Sequence, residues 1–461
     1  MTSGATITQL DEGPQPSDGA GHPEHRVSDR LSFDALLNAY HSYGAPRERW
    51  LVGGEYERAV VRGDGRAVDY HDADGIRWIV EQLSERTGWK KKYEGEYPIE
   101  CAGDGASITL EPGGQVELSG APFRRLADLD AEVRKNRTML YDLAQGHDLH
   151  WISCGLTPYA PIRDIKFVPK GRYAVMREYL PQHGELAHWM MKGTCSVQAN
   201  FDFADEADCA AKFHVSLALG PLNTAIFANS PLVEGKDSGY ASYRGYVWTK
   251  TDPARTGFPA AVRAGYTHAG WVNYLLDTPM MFYKPAGEWK PANGVTFRRW
   301  MDHGIDGVYP TEDDWTLHQT SVFPEVRVKR TIEIRGADAV DINLSVAFIA
   351  LWTGLLYGPR ALTDATELAQ RFAATPGTNE ERQLAAARGG LAARYGAHAA
   401  ADWAKELVTI AAAGLAEIGE DVALLDPLRA KVEAGRSPAL DVLDAWKRDP
   451  SPANVLKSVA Y

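Results

Sequence analysis

Apolar side chains recur at every second position in several stretches of the chain and at helical spacing over much of the rest. Period two marks strands, whose successive side chains face opposite ways, and a period near 3.6 marks helices. Residues 50–61, 194–202 and 325–338 read as strands, and 108–122 as two short strands joined at Pro112-Gly113-Gly114, a tight turn or bulge. Helical spacing covers 31–48, with Leu31, Leu36, Leu37 and Tyr40 on one side, then 74–88 and 123–146. It returns in 209–227 and in 345–358, an apolar run too short to span a bilayer that reads as a buried helix. A basic loop at Pro169 leads into a helix ending near Tyr179, and the Ala- and Leu-rich residues 362–448 read as four or so packed helices. Breaks fall at Gly389-Gly390 and Pro427.

The polar faces of the strands change the picture. Read as one strand, 325–338 puts Glu325, Arg327, Lys329, Thr331, Glu333 and Arg335 on one face, with Arg330 the only break in the apolar one and Gly336 a place to turn. Alternating acid and base suits a site holding metal cations and a polyphosphate, since carboxylates take Mg²⁺ and Arg or Lys takes phosphate oxygens. A solvated face with cross-strand ion pairs is the other reading. Glu55 and Glu57 share a face of a strand flanked by Leu51, Val52, Val60 and Val61; paired carboxylates repel unless a cation lies between them or one stays protonated. Glu111 and Glu117 flank the Pro-Gly-Gly turn, and Gln115 shares a face with Glu117, a set that suits an inward-facing group of oxygens or a plain hairpin. Gln198 and Asn200 alternate along 194–202, where amides either orient nucleotide and metal-bound water or form an ordinary polar face. Arg172 and Tyr173, with Arg177, either clamp a carboxylate or decorate a helix; Arg244, Trp248 and Arg255 belong to an aromatic and basic cluster fit for an amino acid and a phosphate.

Composition narrows the classes. The 461 residues carry 49 basic and 61 acidic side chains, a net charge of −12, which argues against a nucleic-acid partner. The chain has neither a GxxxxGK[ST] nor a GxGxxG motif, so no P-loop or dinucleotide fold is indicated. Residues 1–28 are rich in Gly, Pro, Ser and acid, lack the features of a signal peptide, and are expected to form a disordered tail. The four cysteines form no CxxC pair and no disulfide framework. The expectation is a soluble, cytoplasmic protein with no membrane partner.

In order along the chain, Gly53-Gly-Glu-Tyr-Glu57, 109–122, 194–202, 227–236, 248–257 and the blocks Phe323-Pro-Glu-Val-Arg-Val-Lys329 and Glu333-Ile-Arg-Gly-Ala-Asp338 resemble one family, glutamate–cysteine ligase of the plant and proteobacterial type. The resemblance implies an α+β fold like glutamine synthetase and the guanidino kinases, a curved, mostly antiparallel sheet with surrounding helices. With the shift in composition near residue 360, the expectation is a catalytic domain over 29–360 and an Ala-rich helical region, 361–461, packed on it. It implies ATP and Mg²⁺ as cofactors, glutamate and cysteine as substrates, and a γ-glutamyl phosphate attacked by the amine of cysteine, in a monomer or homodimer. On this reading Glu55, Glu57, Glu111, Glu117 and Glu333 are the metal set. Gln198, Asn200 and Arg335 meet ATP, while Arg335, Arg327 and Lys329 offset charge on the transferring phosphoryl group. Arg172, Tyr173, Arg244, Trp248 and Arg255 hold the amino acids. The chain departs from the family where an arginine usually precedes the strand cysteine; here Lys192-Gly193-Thr194 leads to Cys195. That leaves open a ligase with a different amine acceptor. Rivals from other classes are a non-catalytic metabolite-binding regulator and a guanidino-type kinase.

Overall fold

The computed structural model describes residues 30–461, and the tail expected over 1–28 lies outside them. Nine strands form the main sheet: β1 (Val52–Val61), β2 (Lys90–Glu94), β3 (Tyr97–Gly103), β4 (Ala106–Leu110), β5 (Val116–Ser119), β6 (His150–Ile152), β7 (Ser196–Phe201), β8 (Val326–Val328) and β9 (Ile332–Asp338). They lie in the order β8-β9-β7-β1-β5-β4-β3-β2, with β6 against the end of β1, and every pairing is antiparallel.

Alternation decides which face is dry. Tyr56, Leu118, Val197, Ala199 and Ile334 point one way, into a core that also holds helix Ile342–Tyr357. That helix is buried at every position but Asn343, which is why its sequence shows almost no polar stripe. Helix Ala400–Ile418 crosses it at a pair of glycines. A Cβ on Gly414 would fall 2.0 Å from the Gly354 carbonyl oxygen, so nothing larger fits without moving a backbone. The same core runs on through Trp403, Leu407 and Tyr461, so the C-terminal helices share it with the sheet. A second core gathers helices Phe33–Ser42, Glu206–Ala218 and His268–Asp277 around Val326, Val328 and Ile332 on the back of β8 and β9. No single helix among the described residues is long and apolar enough to cross a membrane.

Two expectations are corrected. Residues 325–338 are not one strand but a hairpin, in which Arg327 and Glu333 are direct partners. A hairpin with three turn residues keeps odd positions on one face and even ones on the other, so alternation cannot reveal it. Arg330, the one charged residue in the apolar series, lies in the turn and is exposed. The stretch 209–227 is two helices, Glu206–Ala218 and Gly220–Phe227, because Pro221 removes an N–H from a continuous ladder.

Candidate active site

The wet face of the sheet concentrates the charges. β1 brings Glu55 opposite both Gln198 and Ser119, and Glu57 opposite Glu117. Asn200 lies opposite Glu333, and β5 continues to Thr109 on β4. The hairpin turn brings Glu111 in beside them. Gly113 makes that turn possible by lying against the Lys192 backbone, where a Cβ would come within 2.2 Å of a carbonyl oxygen. Gln115 fixes the turn to α-helical residues and to the start of β7, donating to the Thr194 carbonyl at 2.9 Å and accepting from Gly113 N at 2.8 Å.

The carboxylates of β1 and β5 repel one another. Burial, then the charge of Glu111, pushes the Glu57 carboxyl up to about 7. Burial and the charges of Glu55, Glu111 and Glu57 hold Glu117 well above the ordinary carboxylate range. Burial and Glu333 raise Glu55. Their hydrogen bonds leave acceptor capacity unused. Glu57 takes the Ser196 N–H at 2.6 Å and the Gln198 amide at 3.2 Å, Glu55 the Asn200 amide at 2.8 Å, and Glu117 the Ser119 hydroxyl at 2.7 Å. Four carboxylates gathered on one half-buried face with lone pairs to spare fit a divalent cation.

Glu333 stands apart from that set. Arg327 grips it with a two-pronged pair at 2.6 and 2.9 Å, Arg335 Nη1 lies 2.5 Å from Oε1, and Lys329 Nζ lies 3.5 Å from Oε2. Burial alone would raise its carboxyl, but Arg327, then Lys329 and Arg335, hold it well below the usual range. As placed, Glu333 anchors side-chain cations, and both of its oxygens are engaged by them. Arg327 is likewise spent, its third donor going to the Val322 carbonyl at 2.9 Å. Arg335 is freer, sharing Nη1 between Glu333 and Gln198 Oε1 and lining the cavity beside Glu57. Asn200 donates to Glu55 and accepts from the Thr331 hydroxyl at 3.1 Å.

That cavity runs from Glu57 and Glu111 past Arg172, Arg244 and Trp248 to Thr320 and Phe323. Arg172 Nε, Arg244 Nε and Trp248 Nε1 are buried in its wall and have no partner. Three unpaired donors on one cavity are a costly arrangement that an anionic ligand, such as a carboxylate, would satisfy. Tyr173 lines the wall but its hydroxyl is committed, donating to the Leu110 carbonyl at 2.9 Å and accepting from Arg172 at 3.1 Å, so it aims Arg172. Arg255 does not join them. It is fully buried, and all its donors go to Asp252, Ser321, Tyr179 and Pro279. Lys192 points elsewhere too, with Nζ 2.9 Å from the Ile165 carbonyl.

Several site residues escaped sequence reasoning. Met176, Met190, Met191 and Met281 form an apolar wall of the cavity. Near the cavity but outside its lining, Lys170, whose ammonium burial and Arg172 bring down to about 8, has its Nζ 3.5 Å from the Leu110 carbonyl and feels the charges of Glu111 and Glu117. Ser196 lines the cavity, yet only its register opposite the carboxylates gives it away. The loop after helix Gly220–Phe227 is structural instead: Asp338 accepts from Asn229 N, Ser230 and Ser242 at 2.7–2.8 Å and ties it to β9.

Comparison with known proteins adds four findings. Residues 51–457 match the model of glutamate–cysteine ligase family 2. Chloroplastic glutamate–cysteine ligase A of Oryza sativa subsp. indica is 37% identical over 440 residues, covering 93% of this chain and 88% of the relative. The chloroplastic enzyme of Solanum lycopersicum is 36% identical over 429 residues, covering 91% and 80%. Among solved structures, glutamate–cysteine ligase from Francisella tularensis in complex with AMP superposes with a TM-score of 0.55 at 14% identity, covering 89% of this chain and 87% of that one, a likeness of fold. The expectation of a cytoplasmic protein is corrected by these relatives, which are named as chloroplastic enzymes.

Proposed function

The chain belongs to glutamate–cysteine ligase family 2 and is a ligase, and we propose that it joins the γ-carboxylate of glutamate to the amine of cysteine using ATP. The product serves glutathione or related thiol biosynthesis. One observation carries the reading at this site: Glu57 and Glu111, two of a cluster of four carboxylates, line one cavity together with Arg172, Arg244 and Trp248, each of which has a buried donor without a partner.

Glu55, Glu57, Glu111 and Glu117 are the residues that would hold Mg²⁺, with the amides of Gln198 and Asn200 beside them. Mg²⁺, when bound, would neutralise phosphate oxygens and align them for in-line transfer. Arg335, which lines the cavity, and Lys329 beside it would offset charge on the transferring phosphoryl group. If Arg335 turns from Glu333 to phosphate, Glu333 Oε1 keeps only its bond from Arg327 and regains one acceptor position, which is how that residue would join the cation set. Arg244, Arg172 and Trp248 hold amino-acid carboxylate, and Glu57 or Glu111 accepts from an ammonium group. The methionine wall suits a thiol side chain, being soft and adaptable. No protein nucleophile is required, and Cys195, buried and pushed well above the usual thiol range by burial, takes no chemical part. We also propose that residues 29–360 act as the catalytic unit, with 361–461 bracing the sheet from behind.

The test is ADP release with ATP, Mg²⁺ and glutamate, each amino acid being added in turn. A rise specific to cysteine, with the mass of γ-glutamylcysteine, supports the assignment. A rise with a different amine moves the enzyme to another acceptor, and none at all removes the ligase assignment.

A further inference from the structure

Away from the charged face, His41, Glu206 and His268 meet where three helices converge, one coordinating atom from each lying within 4.8 Å of the others. His41 lies in the last turn of helix Phe33–Ser42, while Glu206 and His268 open the helices Glu206–Ala218 and His268–Asp277. Glu206 divides its oxygens. One accepts the backbone N–H of His268 at 2.7 Å, and the other lies 3.7 Å from His41 Nδ1. His268 is fully buried; its Nδ1 lies 2.9 Å from the Tyr266 hydroxyl, and its Nε2 has no partner.

We propose that His41, Glu206 and His268 form a Zn²⁺ site, separate from the carboxylate cluster. A buried imidazole nitrogen left unpaired is disfavoured, and two imidazoles with one carboxylate suit zinc, whereas Mg²⁺ favours oxygen ligands alone. In the tautomer whose Nδ1–H donates to Tyr266, the unpartnered Nε2 of His268 carries the lone pair and is the nitrogen free to ligate, the support that ligating histidines usually have. The His41 side chain is 47% exposed, so the site opens to solvent and leaves a fourth position for water. Zinc–nitrogen bonds of about 2.0–2.1 Å set tetrahedral ligand atoms roughly 3.4 Å apart, so closure takes a shift of about 1 Å, which the exposed His41 can make.

The position matters to the rest of the molecule. Tyr40 and Trp271, on two of the three helices, both donate to the Val328 carbonyl, at 3.3 and 2.7 Å. Val328 immediately precedes Lys329 in the basic hairpin. Zinc here would staple together the helices that hold that hairpin.

The test uses the full chain without a metal-binding tag, stripped by chelator and loaded with Zn²⁺ in a large excess of Mg²⁺. Retained zinc is measured after gel filtration, alongside thermal melting. The expected result is one zinc per chain and a higher melting midpoint. His41→Ala and Glu206→Gln, the latter keeping an acceptor for the His268 N–H, reduce retained zinc to background. Glu57→Gln retains it. Wild-type protein holding no zinc under Mg²⁺, His41→Ala holding the wild-type amount, or loss of zinc in Glu57→Gln would each overturn the proposal.

Discussion

Glu57 and Glu117 are direct partners on adjacent antiparallel strands, two carboxylates facing one another across β1 and β5. Like charges so placed cost roughly 0.2–1 kcal/mol on an open sheet, and burial sharpens the repulsion. A fold keeps such a pair when something between them offsets it. Glu117→Gln should therefore raise the melting midpoint in the absence of divalent cations, reduce the further rise that Mg²⁺ gives wild type, and lower turnover. Melting curves with and without Mg²⁺ check this, and a variant that melts below wild type in chelator contradicts it.

Burial of the carboxyls on and beside this face sets a pH dependence. Glu57 and Glu325 are each raised from an ordinary value near 4.5 to about 7, both chiefly by burial. Between those values the folded protein holds protons that the unfolded chain has released. Their contribution to stability is full below about 4.5 and is lost as pH rises through 7. Melting between pH 5 and 8 should show a steeper decline for wild type than for Glu57→Gln, with Mg²⁺ narrowing the gap. Equal slopes for the two proteins would remove Glu57 as the source.

Arg335 and Arg327 flank the same carboxylate but should fail differently. Arg335 lines the cavity, so Arg335→Ala should slow turnover by roughly a hundredfold or more, the scale of losing one charge-stabilising donor. Single-turnover kinetics at saturating ATP measures it, and an unchanged rate removes the role.

Arg327 is enclosed and fully paired, so Arg327→Ala should act on stability. Breaking a buried pair costs about 3–5 kcal/mol. Urea denaturation of the two variants side by side should place Arg327→Ala well below Arg335→Ala. The reverse order would mean that Arg327, not Arg335, faces the chemistry.

Arg172 carries an unpaired buried donor into the cavity. Arg172→Ala should raise KM for an amino-acid substrate by roughly 10- to 100-fold, the worth of a hydrogen bond to a charged group, with a smaller effect on kcat. A change confined to the KM for ATP would move the residue to the nucleotide.

Strand alternation made Glu55, Glu57, Glu117, Gln198 and Asn200 legible as one face, because parity survives strand pairing and most of them lie between buried apolar neighbours. It could not tell Arg335 from Arg327. Both fall on the charged side, and only the hairpin pairing shows that Arg327 closes on Glu333 while Arg335 reaches the cavity. Arg255 had the right company in sequence and the wrong direction in space, since its partners lie 24 to 76 positions away as well as at Asp252. The methionine wall and Lys170 had no local signature at all: core methionines and loop lysines look the same in sequence whether or not a cavity adjoins them.

In the proposed reaction the γ-carboxylate of glutamate is phosphorylated before the amide bond forms. Glutamate labelled with ¹⁸O in that carboxylate, incubated with ATP, Mg²⁺ and cysteine, tests it directly by mass spectrometry of the phosphate released. The expected product is phosphate carrying one ¹⁸O for each γ-glutamylcysteine made. Unlabelled phosphate appearing with ADP would contradict it.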